Sequence, residues 1–151
     1  MAYKTDYLIP KRILLNYLYG TMDKEDFKRL REDSFRLMDL GTAPIHVISI
    51  MDPQIQYARN LQTIVAMMKG KDELHPHSGW IVQVTQQSLH RFVSTWTIQL
   101  VYKNVRFHPV DTLSTALHFL KDRDVTLAAL DIEAVLADYA AWKPILHNAE
   151  F

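Results

Sequence analysis

The chain has 151 residues, 48% of them hydrophobic and 23% charged, which predicts one folded domain over residues 1–151. Seventeen basic and seventeen acidic residues cancel, so no net charge favours nucleic acid or an anionic membrane as a partner. The absence of cysteine excludes disulfides, thiol catalysis and cysteine-ligated metals, and it agrees with the reducing cytoplasm, where we expect the protein to act.

The N-terminal part of the chain predicts a β-hairpin followed by a helix. Strands over Asp6–Ile9 and Ile13–Tyr19 are separated by a short turn signal, so they can pair in antiparallel fashion. Thr21 or Asp23 is suited to cap a helix that runs to about Leu40, because short polar side chains accept hydrogen bonds from the first helical turn. The apolar residues of this helix share one face, so we expect it to cover a sheet through one stripe.

The most informative segment is the apolar, β-branched run Ile45–Met51. Such a run predicts a strand that is buried on both faces. Asp52 is suited to a helix N-cap and Pro53 to the first helical position, so we predict a helix over about Pro53–Met68 directly after the strand.

The remaining elements follow from the same kinds of signal. In chain order they are a strand at Trp80–Thr85, a helix at about Gln87–Tyr102, a short strand at Val105–His108 ended by Pro109, a helix capped by Asp111 or Thr112, and a last helix at about Asp131–Trp142 stopped by Pro144. A hairpin followed by strand–helix units implies an α/β fold with a mixed sheet of about five strands. We expect the strands after the hairpin to be parallel, with helices on both faces and an added C-terminal helix.

This arrangement resembles the STAS fold of the anti-sigma-factor antagonists and, more closely, small STAS-like bacterial proteins. The residues that carry the resemblance are the step Gly20–Asp23 into the first helix, the central strand Ile45–Met51 ending in Asp52, and the late strand and helix from Val105 to Lys121. The likeness covers about residues 6–121, and the final helix and tail at about 131–151 lie outside it. It implies a regulatory module that binds a protein partner.

The chain departs from those antagonists at one functionally important position. The antagonists carry a phosphorylatable Ser or Thr at the start of the helix after the central strand, where this sequence has Asp52, Pro53 and Gln54. Ser49, the nearest hydroxyl, lies within the strand. We therefore expect a non-catalytic interaction module that is not switched by phosphorylation at the usual site.

Two kinds of partner are compatible with the segment that follows the central strand. A protein partner would contact the start of the predicted helix, where Asp52, Gln54 and Arg59 lie. A small apolar or amphipathic ligand would instead be enclosed by flexible side chains such as those of Met67 and Met68. A small-molecule-binding protein is therefore the alternative function.

His75 and His77 form a close histidine pair in a polar loop. Two imidazoles supply only part of a metal site, because a structural zinc ion needs about four ligands. Asp72 and Glu73 are the nearest carboxylates, and they do not stand at a typical metal-binding spacing. A solvated loop accounts for the pair more simply, and we expect no cofactor.

An enzyme is the third hypothesis. Acid–base chemistry would have to come from Asp52 with His46, or from Asp111 with His108. The sequence contains no nucleophile elbow, phosphate-binding loop or paired-histidine helix motif. A binding protein is therefore favoured over an enzyme.

The last predicted helix carries an apolar stripe that needs a surface to cover. Its members are Ile132, Val135, Leu136 and Tyr139, and Trp142 extends it. The stripe covers either the sheet of its own chain, which we favour slightly, or a second subunit in a homodimer. No stretch reaches the roughly 20 apolar residues that a membrane helix requires, so we expect no membrane span.

Overall fold

The structure, a computed structural model, describes residues 3–57, 74–86 and 105–148, with the side chains of the last helix described as far as residue 140. The strands are β1 (Tyr3–Ile9), β2 (Ile13–Leu18), β3 (Thr21–Met22), β4 (Ile45–Met51), β5 (Gln56–Tyr57), β6 (Ser78–Val84) and β7 (Phe107–Val110). The helices are α1 (Lys24–Asp39), α2 (Leu113–Arg123) and α3 (Ile132–Asn148), and a 3-10 turn spans Val125–Leu127.

Five strands form the main sheet in the order β1-β2-β4-β6-β7. The first pair is antiparallel, and every later pair is parallel. This arrangement confirms the predicted α/β fold with a mixed sheet. The short strands β3 and β5 pair in parallel as a separate two-stranded sheet, which the sequence analysis did not predict.

Strand β4 lies at the centre of the main sheet and is covered on both faces. Ile48 and Ile50 point into the main core, which α2 and α3 close. Ile45 and Val47 point to the opposite face, where they pack with residues of α1. The strand therefore has the predicted bounds, Ile45–Met51, because most of its side chains on both faces are apolar and enter a core.

Helix α1 begins at the predicted cap. The Asp23 side chain accepts the Asp26 N–H at 2.8 Å, and the Asp26 side chain accepts the Asp23 N–H in return. Two tyrosines of β1 fix the helix to the sheet: the Tyr3 hydroxyl donates to Asp33 at 2.6 Å, and the Tyr7 hydroxyl donates to the carbonyl of Leu37.

The predicted helix from Pro53 is wrong at its start. The Asp52 carboxylate accepts the Gln54 N–H at 2.8 Å, and the Ile55 N–H donates to the Asp52 carbonyl at 3.0 Å, so the chain makes a turn. It then enters β5. An aspartate followed by proline suits the start of a turn as well as that of a helix, and here the pairing with β3 selects the turn. The remainder of the predicted helix and the one at Gln87–Tyr102 lie outside the described residues.

Pro109 does not end the late strand, which runs over Phe107–Val110 rather than Val105–His108. The Arg106 carbonyl accepts the Ile81 N–H of β6, and the Val110 carbonyl accepts the N–H of Thr85, the residue that follows β6. In a strand the backbone N–H and C=O groups of every second residue point to the same neighbouring strand. Those of Arg106 and Val110 point to β6, so the backbone nitrogen of Pro109 points the other way, to the open edge of the described sheet. A proline there costs no hydrogen bond between strands.

Helix α3 continues through Pro144 to Asn148, so the predicted stop at that proline is also wrong. The missing N–H removes a single bond of the helix, and the bonds on either side suffice to carry it further. Ile132 and Val135 are buried in the main core, with Leu136 and Tyr139 packed against it. The described part of the stripe thus covers its own chain, and the homodimer stays a prediction. None of the described helices is long and apolar enough to cross a bilayer.

The central position of β4 predicts a large difference between two truncations. Ile48 is fully buried and Val125 is 88% exposed. We expect Ile48→Ala to lower the free energy of unfolding by about 2–5 kcal/mol, because it removes buried methyl groups and leaves a cavity. Val125→Ala should change it by less than about 0.5 kcal/mol. Urea denaturation of both variants measures the difference, and equal effects would contradict the central placement of β4.

Candidate functional site

A cleft of about 560 Å³ opens at the carboxyl ends of the parallel strands. Tyr17 comes from β2, Asp52 follows β4, Thr85 follows β6, and Asp111 follows β7. Tyr139 of α3 closes the other side. Open α/β sheets bind their ligands at this edge, because the strands all deliver the loops that follow them to the same place.

The described lining of the cleft combines an apolar wall with a polar rim. The wall consists of Ile50, Met51, Val84 and Leu113, together with the rings of the two tyrosines. The rim consists of Asp52, Thr85, Gln86, Asp111 and Thr112. A mostly apolar cavity of a few hundred cubic ångströms with a few convergent polar groups is typical of small-molecule sites.

Two hydrogen bonds hold the carboxylate of Asp52 in place. Its Oδ2 accepts the Tyr17 hydroxyl at 2.7 Å, and its Oδ1 accepts the Gln54 backbone N–H at 2.8 Å. Tyr17 is only 2% exposed, so its ring cannot swing away from the carboxylate. Asp52 itself is half-buried. It therefore presents a fixed negative charge to the cleft.

Both tyrosines of the cleft keep their protons. Burial raises the pKa of Tyr17, and the hydrogen bond to Asp52 and the charge of that carboxylate raise it further. Burial also raises the pKa of Tyr139, with a second contribution from the charge of Asp52. The two hydroxyls are thus neutral hydrogen-bonding groups rather than bases or nucleophiles.

His46 is not part of this cleft, so the structure does not bring it together with Asp52. The two residues lie at opposite ends of β4, about 20 Å apart along an extended strand. His46 Nε2 instead lies 2.7 Å from Asp124 Oδ2, and its Nδ1 accepts the Trp80 N–H at 2.9 Å. The proton therefore sits on Nε2 and is donated to the carboxylate. A Cβ at Gly79 would collide with this ring.

Three hydrogen bonds to the Asp124 carboxylate offset the cost of its burial. Asp124 is only 7% exposed, and burial by itself disfavours its charge. The hydrogen bonds from the Thr126 hydroxyl, from His46 and from the Thr126 N–H outweigh that effect, so the pKa of Asp124 lies below its ordinary value. Its own backbone N–H donates to Leu120 at the end of α2. The pair thus ties the end of α2 to the start of β4.

The histidine pair ties its loop to the end of α1. His75 Nε2 lies 2.7 Å from Asp39 Oδ1, and His75 Nδ1 accepts the His77 N–H at 3.0 Å. His77 Nδ1 lies 3.0 Å from the Met38 carbonyl and donates to it. Both nitrogens of His75 are therefore occupied. Among the described residues there is no group of three or more side chains able to hold a metal ion.

His108 stacks on Phe119, with ring centres 4.0 Å apart and an interplanar angle of 7°. The guanidinium of Arg123 lies 3.7 Å from the centre of the same Phe119 ring. Burial lowers the pKa of His108, and the charge of Arg123 lowers it further. The ring thus packs in an aromatic cluster, whereas Asp111 lines the cleft.

The predicted binding residues are only partly placed by the structure. Asp52 lines the cleft, and Gln54 contributes its backbone N–H to Asp52 while its side chain is exposed. Arg59, Met67 and Met68 lie outside the described residues. Sequence reasoning missed Tyr17 and Tyr139 because both occupy apolar positions of their elements. The signal that could have indicated Tyr17 is its position one residue before the carboxyl end of β2, at the edge where α/β sheets bind ligands.

No protein-family profile, curated protein or solved structure matches the chain. The resemblance to STAS-like proteins therefore stays a prediction.

The His46–Asp124 pair predicts a pH-dependent loss of stability. Because the pKa of Asp124 is lowered by folding, its charge stabilises the fold above the ordinary aspartate pKa, and this contribution disappears as the pH falls through the folded pKa. We expect Asp124→Asn to lower the free energy of unfolding by about 1.5–3 kcal/mol at neutral pH. The difference from the wild type should shrink below about pH 4.

Urea denaturation at a series of pH values measures this difference. Asp122→Asn is the matched control, since Asp122 is exposed on the same helix. It should change the stability by less than about 0.5 kcal/mol at each pH. A deficit of Asp124→Asn that is the same in acid as at neutral pH would contradict the assignment.

Proposed function

We propose that the protein is a small-molecule-binding module whose ligand occupies the cleft at the carboxyl ends of β2, β4, β6 and β7. The observation that carries the proposal is a cleft of about 560 Å³ at the edge where α/β sheets place their ligands. This volume falls within the range of about 300–1,000 Å³ that is usual for small-molecule sites.

The make-up of the cleft supports binding of an amphipathic molecule. Ile50, Val84 and Leu113 are each less than 10% exposed, so they form a firm apolar wall. Asp52 offers a hydrogen-bond acceptor whose direction is fixed before any ligand arrives. A prearranged polar group lowers the entropic cost of binding, because no side chain has to be ordered by the ligand.

The interaction module suggested by the STAS-like resemblance stays a prediction. Its partner-binding surface was predicted at the helix after Asp52, where Gln54 and Arg59 lie. The chain forms a turn and β5 directly after Asp52, and Arg59 lies outside the described residues. No contact in the described part favours a protein partner over a small molecule at this edge.

Blocking the cleft tests the proposal. Gln86 is exposed and lines the cleft, so Gln86→Trp should occupy the space with little effect on the core. We expect fragments that bind the wild type to shift the amide resonances of Asp52, Thr85 and Thr112 in ¹H–¹⁵N NMR spectra. The same fragments should bind Gln86→Trp at least about tenfold more weakly, which corresponds to about 1.4 kcal/mol.

His118→Trp is the matched control, because His118 is exposed on α2 and is not among the residues that line the cleft. It adds the same ring elsewhere and should leave fragment binding unchanged. Failure of a diverse fragment set to bind the wild type, or equal binding to the wild type and Gln86→Trp, would refute a ligand site in this cleft.

A further inference from the structure

A surface patch of arginine and aromatic residues lies towards the amino ends of β6 and β7, away from the cleft at their carboxyl ends. Its rings are those of Trp80 in β6, His108 in β7 and Phe119 in α2. Its cations are Arg123, the last residue of α2, and Arg106, which directly precedes β7. We call these residues the arginine–aromatic patch.

Stacking on aromatic rings holds the guanidinium of Arg123 in place. Its central carbon lies 3.7 Å from the centre of the Phe119 ring and 5.6 Å from that of the Trp80 ring. His108 is stacked on Phe119 at 4.0 Å. Two groups this close to the ring centre would collide on one face, so His108 and Arg123 lie on opposite faces. Phe119 is only 9% exposed, so the ring under Arg123 is itself fixed by the core.

The N–H donors of Arg123 are left for a ligand by the described part of the chain. There the guanidinium lies against aromatic rings and has neither a hydrogen bond nor an ion pair. Arg123 is exposed, so a ligand can reach these donors. Because the planar fork is already ordered, it can pair with a carboxylate through two parallel hydrogen bonds at a small cost in side-chain entropy.

Arg106 is the neighbour of Trp80 on the adjacent strand. Ile81 pairs with Phe107 in register, so the residues before them, Trp80 and Arg106, lie side by side. Arg106 and His108 are separated by one residue of an extended segment, so their side chains leave the sheet on the same face, which α2 covers. Arg106 is exposed, and its guanidinium has no hydrogen bond or ion pair within the described ranges. Trp80 therefore lies next to both arginines.

Two acids next to Arg123 in the sequence limit the net charge of the patch. The Asp124 carboxylate is turned towards His46 and Thr126, and Asp122 is exposed. Neither acid forms an ion pair with Arg123 in the part of the chain that the structure describes. Their charges nevertheless weaken any long-range attraction for an anion, so a ligand has to be recognised by direct contact with the guanidinium groups.

The apolar surface beside the arginines favours a peptide over a free anion. A single exposed ion pair adds little binding free energy, because water and salt screen both charges. Trp80 is half-buried and Val125, just beyond Arg123, is 88% exposed, so a peptide can add apolar contacts that a free anion lacks. Tryptophan and arginine are also enriched among the residues that dominate protein interfaces. The zero net charge of the chain gives no support to nucleic acid as the ligand.

We propose that the arginine–aromatic patch binds an acidic segment of a partner protein, with carboxylates on Arg123 and Arg106 and apolar side chains against Trp80. The patch shares no residue with the described lining of the cleft. The inference therefore goes beyond the proposed function and does not depend on it. A small ligand would occupy one edge of the sheet, and the protein partner would occupy the other.

Two capped peptides and an inorganic anion test the proposal. They are acetyl-Glu-Leu-Glu-Glu-Leu-Glu-amide, the same peptide with glutamine in place of each glutamate, and inorganic phosphate. We expect the glutamate peptide to bind the wild type at least about tenfold more tightly than the glutamine peptide, because its hydrogen bonds to arginine are charge-assisted. It should shift the NMR resonances of the Trp80 indole and of the Arg106 and Phe119 amides. Phosphate should bind more weakly than the glutamate peptide.

Substitutions at Arg123 separate binding from the stability of α2. A positive charge in the last turn of a helix interacts favourably with the helix dipole, and lysine would retain that effect. Arg123→Lys should therefore preserve the free energy of unfolding but weaken binding of the glutamate peptide at least about threefold, because lysine lacks the planar fork. Arg123→Gln should reduce the advantage of the glutamate peptide to within about threefold, and Arg106→Gln should also reduce it. Arg29→Gln is the matched control, since Arg29 is exposed on α1, and it should preserve the full advantage.

Equal binding of the two peptides to the wild type, or phosphate binding as tight as that of the glutamate peptide, would overturn the proposal. An equal loss in Arg29→Gln and Arg123→Gln would reflect net charge alone and would also overturn it, as would wild-type affinity in Arg123→Lys. Peptide-induced shifts confined to the cleft amides would exclude this surface. None of these outcomes changes fragment binding in the cleft, so the two proposals fail separately. The wild-type comparison and Arg106→Gln decide the question even if Arg123→Gln does not fold.

Discussion

The burial of β4 on both faces is the constraint on which the rest of the molecule depends. Ile48 packs into the main core on one face and Val47 packs with residues of α1 on the other, so the middle of the strand mainly supplies apolar side chains to the two cores. Apart from the half-buried Ser49, the polar groups of this segment lie near the ends of the strand. His46 lies near the start of the strand, and Asp52 lies immediately after its end.

The two ends have opposite characters. Near the start of β4, both ring nitrogens of His46 have hydrogen-bond partners, the Asp124 carboxylate and the Trp80 N–H. His46 and Asp124 are both less than 10% exposed. A buried pair whose polar atoms are already hydrogen-bonded stabilises the fold and has no accessible hydrogen-bonding group for a ligand. At the other end Asp52 is also hydrogen-bonded, but it stays half-buried beside an open cleft. A charge that is fixed without being fully satisfied is what a binding site requires.

The fold could be predicted from the sequence wherever the local pattern agreed with the tertiary contacts. The run Ile45–Met51 was placed correctly, because a mostly apolar run of this length has few alternatives to a buried strand. Asp23 was one of the two caps predicted for the first helix, and the capping box with Asp26 selects it over Thr21. Asp52 with Pro53 was misassigned, since the same dipeptide starts a helix or a turn and only the distant partner β3 selects the turn. Pro109 was misread for a similar reason, as its tolerance depends on an open sheet edge that no local pattern reveals.

The candidate site was less predictable than the fold, because its residues are brought together only by the topology. Tyr17 and Asp52 are 35 positions apart, and Tyr17 has the pattern of a core residue; its hydroxyl acquires a role only because β2 and β4 are parallel neighbours in register. That pairing places Leu18 beside Met51 and so sets the tyrosine next to the turn after β4. Tyr17, a buried residue of the core, thereby fixes the direction of the half-buried Asp52 carboxylate. The hydrogen bond from Tyr17 connects Asp52 to the rigid sheet, so the direction of this carboxylate is fixed by the strand pairing and not by the loop alone.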